Sequence, residues 1–157
     1  VELLIPDLSG NTDDLKTILD AGPDVLAHNL ETVPRLYPGV RPEAEYQRSL
    51  NILKASSEYG NGVVVKSGLM VGFGETEEEI LNVVSEAVEH GCQIMTIGQY
   101  LRPSEWHLPV TEYYSPDRFK RLKERGEALG LKYIEAGPLV RSSYMAHRQI
   151  ASFRHRQ

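Results

Sequence analysis

The chain of 157 residues contains a single cysteine, Cys92, and no apolar run that approaches the roughly 18 residues needed to span a membrane. One thiol excludes an internal disulfide and suits a reducing compartment, so we expect a cytoplasmic protein, or an organellar one in a eukaryote. With a net charge of −5, the chain lacks the excess of basic residues typical of nucleic-acid-binding proteins. We therefore expect neither nucleic acid nor a membrane as a partner. Because 41% of the residues are hydrophobic, the chain can bury the core of one globular domain.

Short apolar runs alternate with helical patterns along the chain. The apolar runs predict five strands, at residues 1–5, 24–27, 63–71, 94–97 and 132–136. Strand–helix units of this spacing predict an α/β fold with parallel β-α-β connections, and the near-continuous apolar strands indicate a sheet buried on both faces. Cys92 stands at the start of one apolar run and is expected in the core.

Four helices are predicted from their N-terminal signals. These signals are Asn11 or Thr12, Pro42, the capping box of Thr76 with Glu79, and Ser115 before Pro116. The second helix is expected to bury the stripe of Tyr46, Leu50 and Leu53, which fall at i, i+4 and i+7. The last is expected to bury Phe119, Leu122 and Leu129.

Polar residues gather after the carboxyl end of every predicted strand, where α/β proteins bind ligands. The longest such segment, residues 28–42, combines an imidazole, an amide, a carboxylate and guanidinium groups with three prolines and a glycine. Prolines and glycine explain a loop, whereas the polar groups indicate a site. The other clusters lie at residues 6–7, 66–67, 72–75, 99–102 and 141–144.

Several of these residues have both a ligand-binding and a structural interpretation. Glu31 is suited to accept hydrogen bonds from an ammonium group or from ribose hydroxyls, and Arg41 or Arg35 to hold a carboxylate. The glycines of residues 68–74 permit close approach of a ligand, or only a tight turn, and the helix that follows favours negative charge at its N-terminus. Lys66 lies in a buried strand and needs a partner, so a structural ion pair with Glu31 or Glu75 competes with a role in binding.

The chain closely resembles lipoyl synthases, which are radical S-adenosylmethionine (SAM) enzymes, in five ordered motifs: HNLETVPRLYP, VRP, KSGLMVGFGET, TIGQYLRPS and GPLVRSSY. The resemblance extends to about Met145 and implies a partial TIM-type (β/α) barrel with two [4Fe-4S] clusters. One cluster would cleave SAM to a 5′-deoxyadenosyl radical, which removes hydrogens from C6 and C8 of a protein-bound octanoyl chain. The auxiliary cluster would supply two sulfur atoms. The implied partners are an octanoylated lipoyl-carrier domain or H protein and a reducing electron donor.

The resemblance also implies roles for particular residues. Asn29 and Glu31 are similar to SAM contacts, Gly68, Gly72 and Glu75 match a glycine-and-acid strand motif, and Gln99 with Tyr100 resembles contacts near the adenosine. Arg41 and Lys66, singled out above by their chemistry, complete the predicted cofactor-binding set. In the RSSY motif the implied iron ligand is a serine oxygen, for which Ser143 is the first choice and Ser142 the alternative. No catalytic residue is assigned.

The chain departs from the family in one respect, because both cysteine motifs, CxxxxCxxxxxC and CxxxCxxC, are absent. It therefore resembles the C-terminal part of a lipoyl synthase, with a barrel portion at residues 1–145 and a tail at 146–157, and we expect it to be inactive alone. One alternative is a non-catalytic SAM-binding or regulatory module. Another is a barrel enzyme that forms a Schiff base at Lys66. Strand 1–5 would be an exposed edge, so we expect poor stability or self-association.

Overall fold

Five parallel strands form a single sheet in the computed structural model, which describes residues 1–143. They are β1 (Glu2–Leu4), β2 (Val25–Ala27), β3 (Val64–Val71), β4 (Ile94–Gln99) and β5 (Tyr133–Gly137), and their order in the sheet is their order in the chain. All four pairings are parallel, as the alternation of strands and helices predicts. Tyr144 and the predicted tail, residues 146–157, lie outside the described residues.

The helices begin where local chemistry favours it. They are α1 (Thr12–Asp20), α2 (Tyr37–Val40), α3 (Tyr46–Glu58), α4 (Glu77–Glu89) and α5 (Pro116–Ala128). The side chain of Asn11 caps α1, the predicted capping box of Thr76 and Glu79 begins α4, and Ser115 caps α5. Each cap satisfies backbone N–H groups that have no partner within the helix.

The long helices pack against one face of the sheet. Alternate residues of the central strands, such as Val65 and Leu69 of β3 and Met95 of β4, share the main core with side chains of α3, α4 and α5. A second cluster joins α1 and α3 to Leu26 of β2. Because side chains alternate along a strand, Lys66, Gly68 and Thr96 lie on the opposite face. Helices on one face distinguish a barrel wall from a doubly wound sheet, which confirms the predicted partial (β/α) barrel.

Two predictions about the helices are wrong. Pro42 does not begin a helix, because α3 starts at Tyr46, although Leu50 and Leu53 are buried as its stripe predicts. Leu129 is the C-cap of α5 and remains 39% exposed, since the helix ends before it completes another inward turn. The prediction of a sheet buried on both faces is confirmed for β2 and β4, in which every residue is buried, although in the described residues the helices cover only one face.

Lys66 lies inside β3, not at its end, and its predicted ion-pair partners are wrong. Its Nζ lies 2.8 Å from Oε1 of Glu2 in β1, and the lysine side chain is 1% exposed. Glu31 and Glu75 both lie beyond the carboxyl ends of their strands, whereas Lys66 pairs with Ala27 in the middle of the sheet. The salt bridge therefore crosses the face of β2 and joins β1 to β3.

Candidate functional site

The carboxyl ends of β1 to β4 carry the predicted site, and Glu31 has the most unusual backbone there. Its φ of 66° lies in the left-handed region, which L-residues with a long side chain rarely adopt. Hydrogen bonds hold it beside β3, because its N–H donates to the carbonyl of Gly68 (2.9 Å) and its carbonyl accepts from the N–H of Met70 (2.8 Å). An imposed conformation of this kind is typical of functional sites.

The segment 28–42 folds back on itself and fixes the chain around Asn29. Arg41 Nη1 donates to the carbonyl of Asn29 (3.1 Å) and to the hydroxyl of Tyr37 (3.2 Å). The Tyr37 hydroxyl in turn donates to the carbonyl of Leu30 (2.6 Å). Within this segment, Pro34–Leu36 form a short 3-10 turn that leads into α2. The prolines therefore build a rigid loop, which carries the polar side chains to the strand ends.

Asn29, Glu31 and Gly68 line one cavity of about 310 Å³, which we call the polar cavity. Its other polar lining residues are Thr96, Arg141 and Ser142. Gly68 is required there, because a Cβ at this position would lie 2.8 Å from Asn29 Oδ1 and 2.9 Å from Thr96 Oγ1. Asn29 Oδ1 is buried and has no hydrogen-bond partner. A buried acceptor without a partner calls for a ligand or an ordered water.

The Glu31 carboxyl has an environment that disfavours its charge. Burial raises the pKa of Glu31 above its ordinary value, while the Asn29 side chain and the positive charge of Arg41 oppose this rise in pKa. A hydrogen-bond donor or a cation in the polar cavity would offset the desolvation of the carboxylate. The polar cavity is thus suited to a ligand group rich in donors, such as a pair of hydroxyls.

Gly72 and Glu75 serve the turn that follows β3. Both carboxylate oxygens of the buried Glu75 accept hydrogen bonds from the turn itself, at 2.7 Å from the N–H of Gly72 and 2.9 Å from that of Phe73. The φ of Gly72 is 113°, and a Cβ there would collide with Gln99 Nε2 and with the carbonyl of Glu112. In this structure both residues shape the turn.

Gln99 faces the helical side of the sheet and holds the chain after β4. Its Oε1 accepts from the N–H of Tyr114 (2.9 Å), and its Nε2 donates to the carbonyl of Glu112 (3.0 Å). Gln99 also lines a cleft together with the neighbouring Tyr100. Tyr100 stacks on Phe73 with ring centroids 4.1 Å apart.

Tyr100 and Phe73 line a larger cleft of about 520 Å³ beside the polar cavity, which we call the aromatic cleft. Its wall continues with Trp106 and Leu108 from the loop after β4 and with Val40 from α2. Met70 and Arg141 line both the aromatic cleft and the polar cavity, so the two meet at these residues. A planar, apolar ligand group fits such a lining.

Arg41 lines a third cavity, of about 260 Å³, at the ends of β1 and β2, which we call the edge cavity. Asn29 and Glu31 belong to the lining of both the edge cavity and the polar cavity. The aromatic cleft, the polar cavity and the edge cavity therefore follow one another along the carboxyl edge of the sheet, from β4 to β1. Arg41 uses only Nη1 for hydrogen bonds within the described chain.

The carboxylate that Arg35 binds in this structure belongs to this chain, at Glu79. Arg35 pairs with Glu79 through Nε at 2.7 Å and Nη2 at 3.0 Å, and Nη2 also donates to the carbonyl of Gly74. Glu79 belongs to the first turn of α4 together with Glu77 and Glu78. Three carboxylates in that turn already complement the helix dipole, so this N-terminus is poorly suited to a further anion.

Four residues of the predicted set lie outside the linings of the three cavities, namely Lys66, Gly72, Glu75 and Ser143. Lys66 is buried against Glu2 and lines none of them. Ser142 lines the polar cavity, whereas Ser143 is exposed beside it. Cys92 is buried in the core as predicted, and burial raises the pKa of its thiol to about 12. Within residues 1–143, no group of three or more histidine, cysteine, aspartate or glutamate side chains is placed to hold a metal ion.

The lining residues that sequence reasoning did not assign include Met70, Phe73, Thr96 and Trp106. Thr96 lies opposite Gly68 in the β3–β4 register, which parallel pairing and alternation would have placed on the same face. Phe73 stands within the glycine-rich turn, where the glycines and Glu75 carry the recognisable motif. Trp106 lies in an irregular loop and is 89% exposed, so no periodic signal marked it.

The family comparison agrees with this architecture. A model described as the radical SAM superfamily matches residues 1–87. The chain belongs to the radical SAM superfamily. It is 56% identical over 149 residues to a lipoyl synthase of Rubrobacter xylanophilus, covering 95% of this chain and 46% of that protein.

Two further relatives are also lipoyl synthases. The chain is 54% identical over 146 residues to the protein of Caldanaerobacter subterraneus subsp. tengcongensis, covering 93% of this chain and 51% of that protein. It is 51% identical over 152 residues to that of Koribacter versatilis, covering 97% of this chain and 50% of that protein. The chain thus spans about half the length of the curated relatives it matches, as its resemblance to part of a lipoyl synthase predicts. None of the helices in residues 1–143 is long and apolar enough to cross a membrane.

Proposed function

We propose that this chain binds SAM along the carboxyl edge of its sheet, as part of a lipoyl synthase. The observation that carries this proposal is the buried, unpartnered Asn29 Oδ1 beside the Glu31 carboxyl, in a cavity that opens into an aromatic cleft. Asn29 and Glu31 accept hydrogen bonds from the ribose hydroxyls, and Gly68 leaves the room that the sugar needs. Tyr100 and Phe73 hold the adenine in the aromatic cleft.

Three residues support this site by fixing the backbone around it: Gly72, Glu75 and Gln99. Glu75 fixes the glycine turn, and Gln99 fixes the segment around Tyr114. Arg41, with guanidinium nitrogens left over from its backbone hydrogen bonds, holds the carboxylate of SAM in the edge cavity. Lys66 contributes indirectly, since its ion pair with Glu2 joins the strands beneath the site.

The proposed reaction of the whole protein is the insertion of two sulfur atoms at C6 and C8 of a protein-bound octanoyl group. The cofactor would supply the radical chemistry when it is bound beside a reduced cluster. The partners are an octanoylated lipoyl-carrier domain or H protein and an electron donor, in the cytoplasm or in an organelle. Ser143 is the proposed serine ligand of the auxiliary cluster, with Ser142 as the alternative.

The residues of this chain do not fit a complete [4Fe-4S] cluster. Iron–sulfur clusters are normally held by several thiolates, and the chain has one cysteine, which is buried in the core. We therefore propose that the 157-residue chain is inactive alone. The same observation keeps a second candidate function open, in which the chain is a non-catalytic SAM-binding or regulatory module. A Schiff-base enzyme is disfavoured because Lys66 is ion-paired and 1% exposed.

Calorimetric titration of the iron-free chain with SAM tests the binding proposal. We expect saturable binding to the wild type and a loss of about tenfold or more in Asn29→Ala, because an acceptor for a ribose hydroxyl is removed. Asn51→Ala, at an exposed position of α3, is the matched control and should bind as the wild type does. Equal affinities of the two variants for SAM would contradict the assignment of Asn29.

Conversion of an octanoylated H protein to its lipoylated form, followed by mass spectrometry, separates the two functions. With SAM, iron, sulfide and a reductant, we expect no product from the chain alone. We expect product when a polypeptide that carries both cysteine motifs is supplied as well. Binding of SAM without product in the supplemented reaction would favour the regulatory module.

A further inference from the structure

Glu31 lies at the centre of a three-residue turn in the segment that follows β2. The N–H of Thr32 donates to the carbonyl oxygen of Leu30 across this turn (2.8 Å), and the φ of Glu31 is 66°. A hydrogen bond between residues i and i+2 around a positive φ is the pattern of the γ-turn in its rare, strained form. The surrounding structure must therefore hold Glu31 in this conformation.

The Leu30 carbonyl, on which this turn closes, is also the acceptor of the Tyr37 hydroxyl. That hydroxyl donates to the carbonyl at 2.6 Å and accepts from Arg41 Nη1 at 3.2 Å. Arg41 Nη1 also lies 3.4 Å from the same carbonyl oxygen. Tyr37 is 5% exposed, and burial raises the pKa of its hydroxyl, so the hydroxyl keeps the proton that it donates.

Packing against α3 fixes the ring of Tyr37. It meets the ring of Tyr46 edge to face, with centroids 5.4 Å apart and planes at 90°. The hydroxyl of Tyr46 donates to the Glu86 carboxylate of α4. Two adjacent tyrosines thus have hydroxyls with different tasks, since that of Tyr37 holds the turn at Glu31 and that of Tyr46 joins two helices.

We propose that Tyr37 is a positioning residue for the Glu31 carboxyl, and through it for recognition of the ribose hydroxyls of an adenine nucleoside. Its hydroxyl holds the peptide bond that leads into Glu31, so that Glu31 presents its side chain to the polar cavity. Tyr37 lines none of the three cavities and therefore acts only through this turn. The inference rests on the proposed function, in which Glu31 accepts a hydrogen bond from the ribose.

Two nucleosides that differ only in the ribose hydroxyls isolate this recognition. Adenosine carries both hydroxyls, and 2′,3′-dideoxyadenosine carries neither. Chemical-shift titrations of the isotope-labelled, iron-free chain measure the affinity for each compound, even where binding is weak. We expect the wild type to bind adenosine about tenfold more tightly, because Asn29 and Glu31 lack their donors in the dideoxy compound.

Tyr37→Phe removes the hydroxyl and keeps the ring that packs on Tyr46. We expect the preference for adenosine to fall by about threefold, with the affinity for 2′,3′-dideoxyadenosine unchanged. Tyr46→Phe removes the hydroxyl of the neighbouring ring and is the matched control, which should keep the wild-type preference. In a double-mutant cycle with Glu31→Ala, Tyr37→Phe should cause little further loss, because a positioning residue acts through the group that it positions.

Hydrogen exchange of the Thr32 amide in the wild type provides a second measurement that needs no variant. At equal saturation, adenosine should slow this exchange more than 2′,3′-dideoxyadenosine does, because a ribose bound to Glu31 stabilises the turn. Equal protection of this amide by the two nucleosides would contradict a coupling between the turn and the ribose.

The outcomes separate this inference from the proposed function. Equal weakening of both nucleosides in Tyr37→Phe, or an effect additive with that of Glu31→Ala, would overturn the role of Tyr37 and leave the nucleoside site standing. A wild type that does not distinguish the two nucleosides would overturn the proposed ribose contacts. Failure of the wild type to bind adenosine or SAM would overturn the proposed function and this inference with it.

Discussion

Lys66 and Glu2 form a buried ion pair across the face of β2. Desolvation of two charges offsets much of their attraction, so the pair specifies the arrangement of the strands more than it stabilises them. Removal of only one partner destabilises the fold, because the other charge is left without a counter-charge. The Lys66 side chain is 1% exposed and that of Glu2 is 19% exposed, so neither charge is fully hydrated when alone.

A double-mutant cycle on this pair gives the first prediction. We expect Lys66→Met to lower the free energy of unfolding by about 3 kcal/mol, because Glu2 then lacks its partner. The double variant with Glu2→Gln should recover most of this loss. Urea unfolding of the wild type, both single variants and the double variant measures the coupling. Additive effects in the cycle would contradict a direct ion pair.

At the scale of elements, the capping box of α4 also connects the N-terminus of this helix to the segment 28–42. Glu79 accepts from the N–H of Thr76 (2.8 Å) and pairs with Arg35 of the segment 28–42. The Arg35 hydrogen bond, the Thr76 N–H and the Arg35 charge lower the pKa of Glu79 from 4.5 to about 2. The folded state therefore favours the ionised form of the Glu79 carboxylate.

This lowered pKa predicts a pH dependence of stability. The contribution of Glu79 is fully present above about pH 4.5, and it is lost as the pH falls toward about 2, since the folded state has the lower pKa. We expect Glu79→Gln to cost about 1 kcal/mol at pH 7 and progressively less below pH 4. Urea unfolding at several pH values measures this, with Glu78→Gln in the same turn as the control. A cost that is independent of pH would contradict the assignment.

Gly72 is the glycine on which the turn after β3 depends most. Gly72 combines a φ of 113° with collisions of any Cβ against Gln99 and Glu112. Gly60 has a φ of 83° but nothing within 4 Å of a Cβ, so it carries the backbone strain without the collision. The two glycines therefore form a matched pair for mutation.

We expect Gly72→Ala to destabilise the fold by at least about 2 kcal/mol more than Gly60→Ala, for which about 1 kcal/mol of backbone strain is expected. Gly72→Ala should also weaken SAM binding, because the Phe73–Tyr100 pair moves with the turn. Chemical unfolding and calorimetry measure the two effects. Similar losses of stability in both variants would show that backbone strain alone governs the turn.

At the scale of the whole molecule, β1 is an edge of the sheet in the described residues. It has only three residues, and Leu4 on its ligand-facing side is 58% exposed. An edge strand offers unpaired N–H and C=O groups to another chain, and an exposed leucine adds apolar surface. The negative charge of Glu2 does not protect this edge from association, because its carboxylate is ion-paired with Lys66.

We therefore predict that the 157-residue chain self-associates through β1 as its concentration rises, or has low stability. Sedimentation velocity over a concentration series measures the association. Leu4→Lys places a charge on the edge and should shift the population toward the monomer, whereas Leu139→Lys removes another exposed leucine, away from β1, and should not. A monomeric wild type with cooperative unfolding at high temperature would contradict this prediction.

Local signals in the sequence determined the helix caps at Thr76 and Ser115, the order of strands and helices, and the motifs that identify the superfamily, and they limited the first cap to Asn11 or Thr12. Such features depend on residues a few positions apart, which a sequence displays directly. Only the tertiary structure decided that Lys66 pairs with Glu2, 64 residues away, and that the Gln99 side chain hydrogen-bonds to the backbone of Glu112 and Tyr114. The register of parallel strands sets these contacts, and register follows from packing between distant segments. For the same reason, the three adjoining cavities and the three-residue turn at Glu31 became visible only in the folded chain.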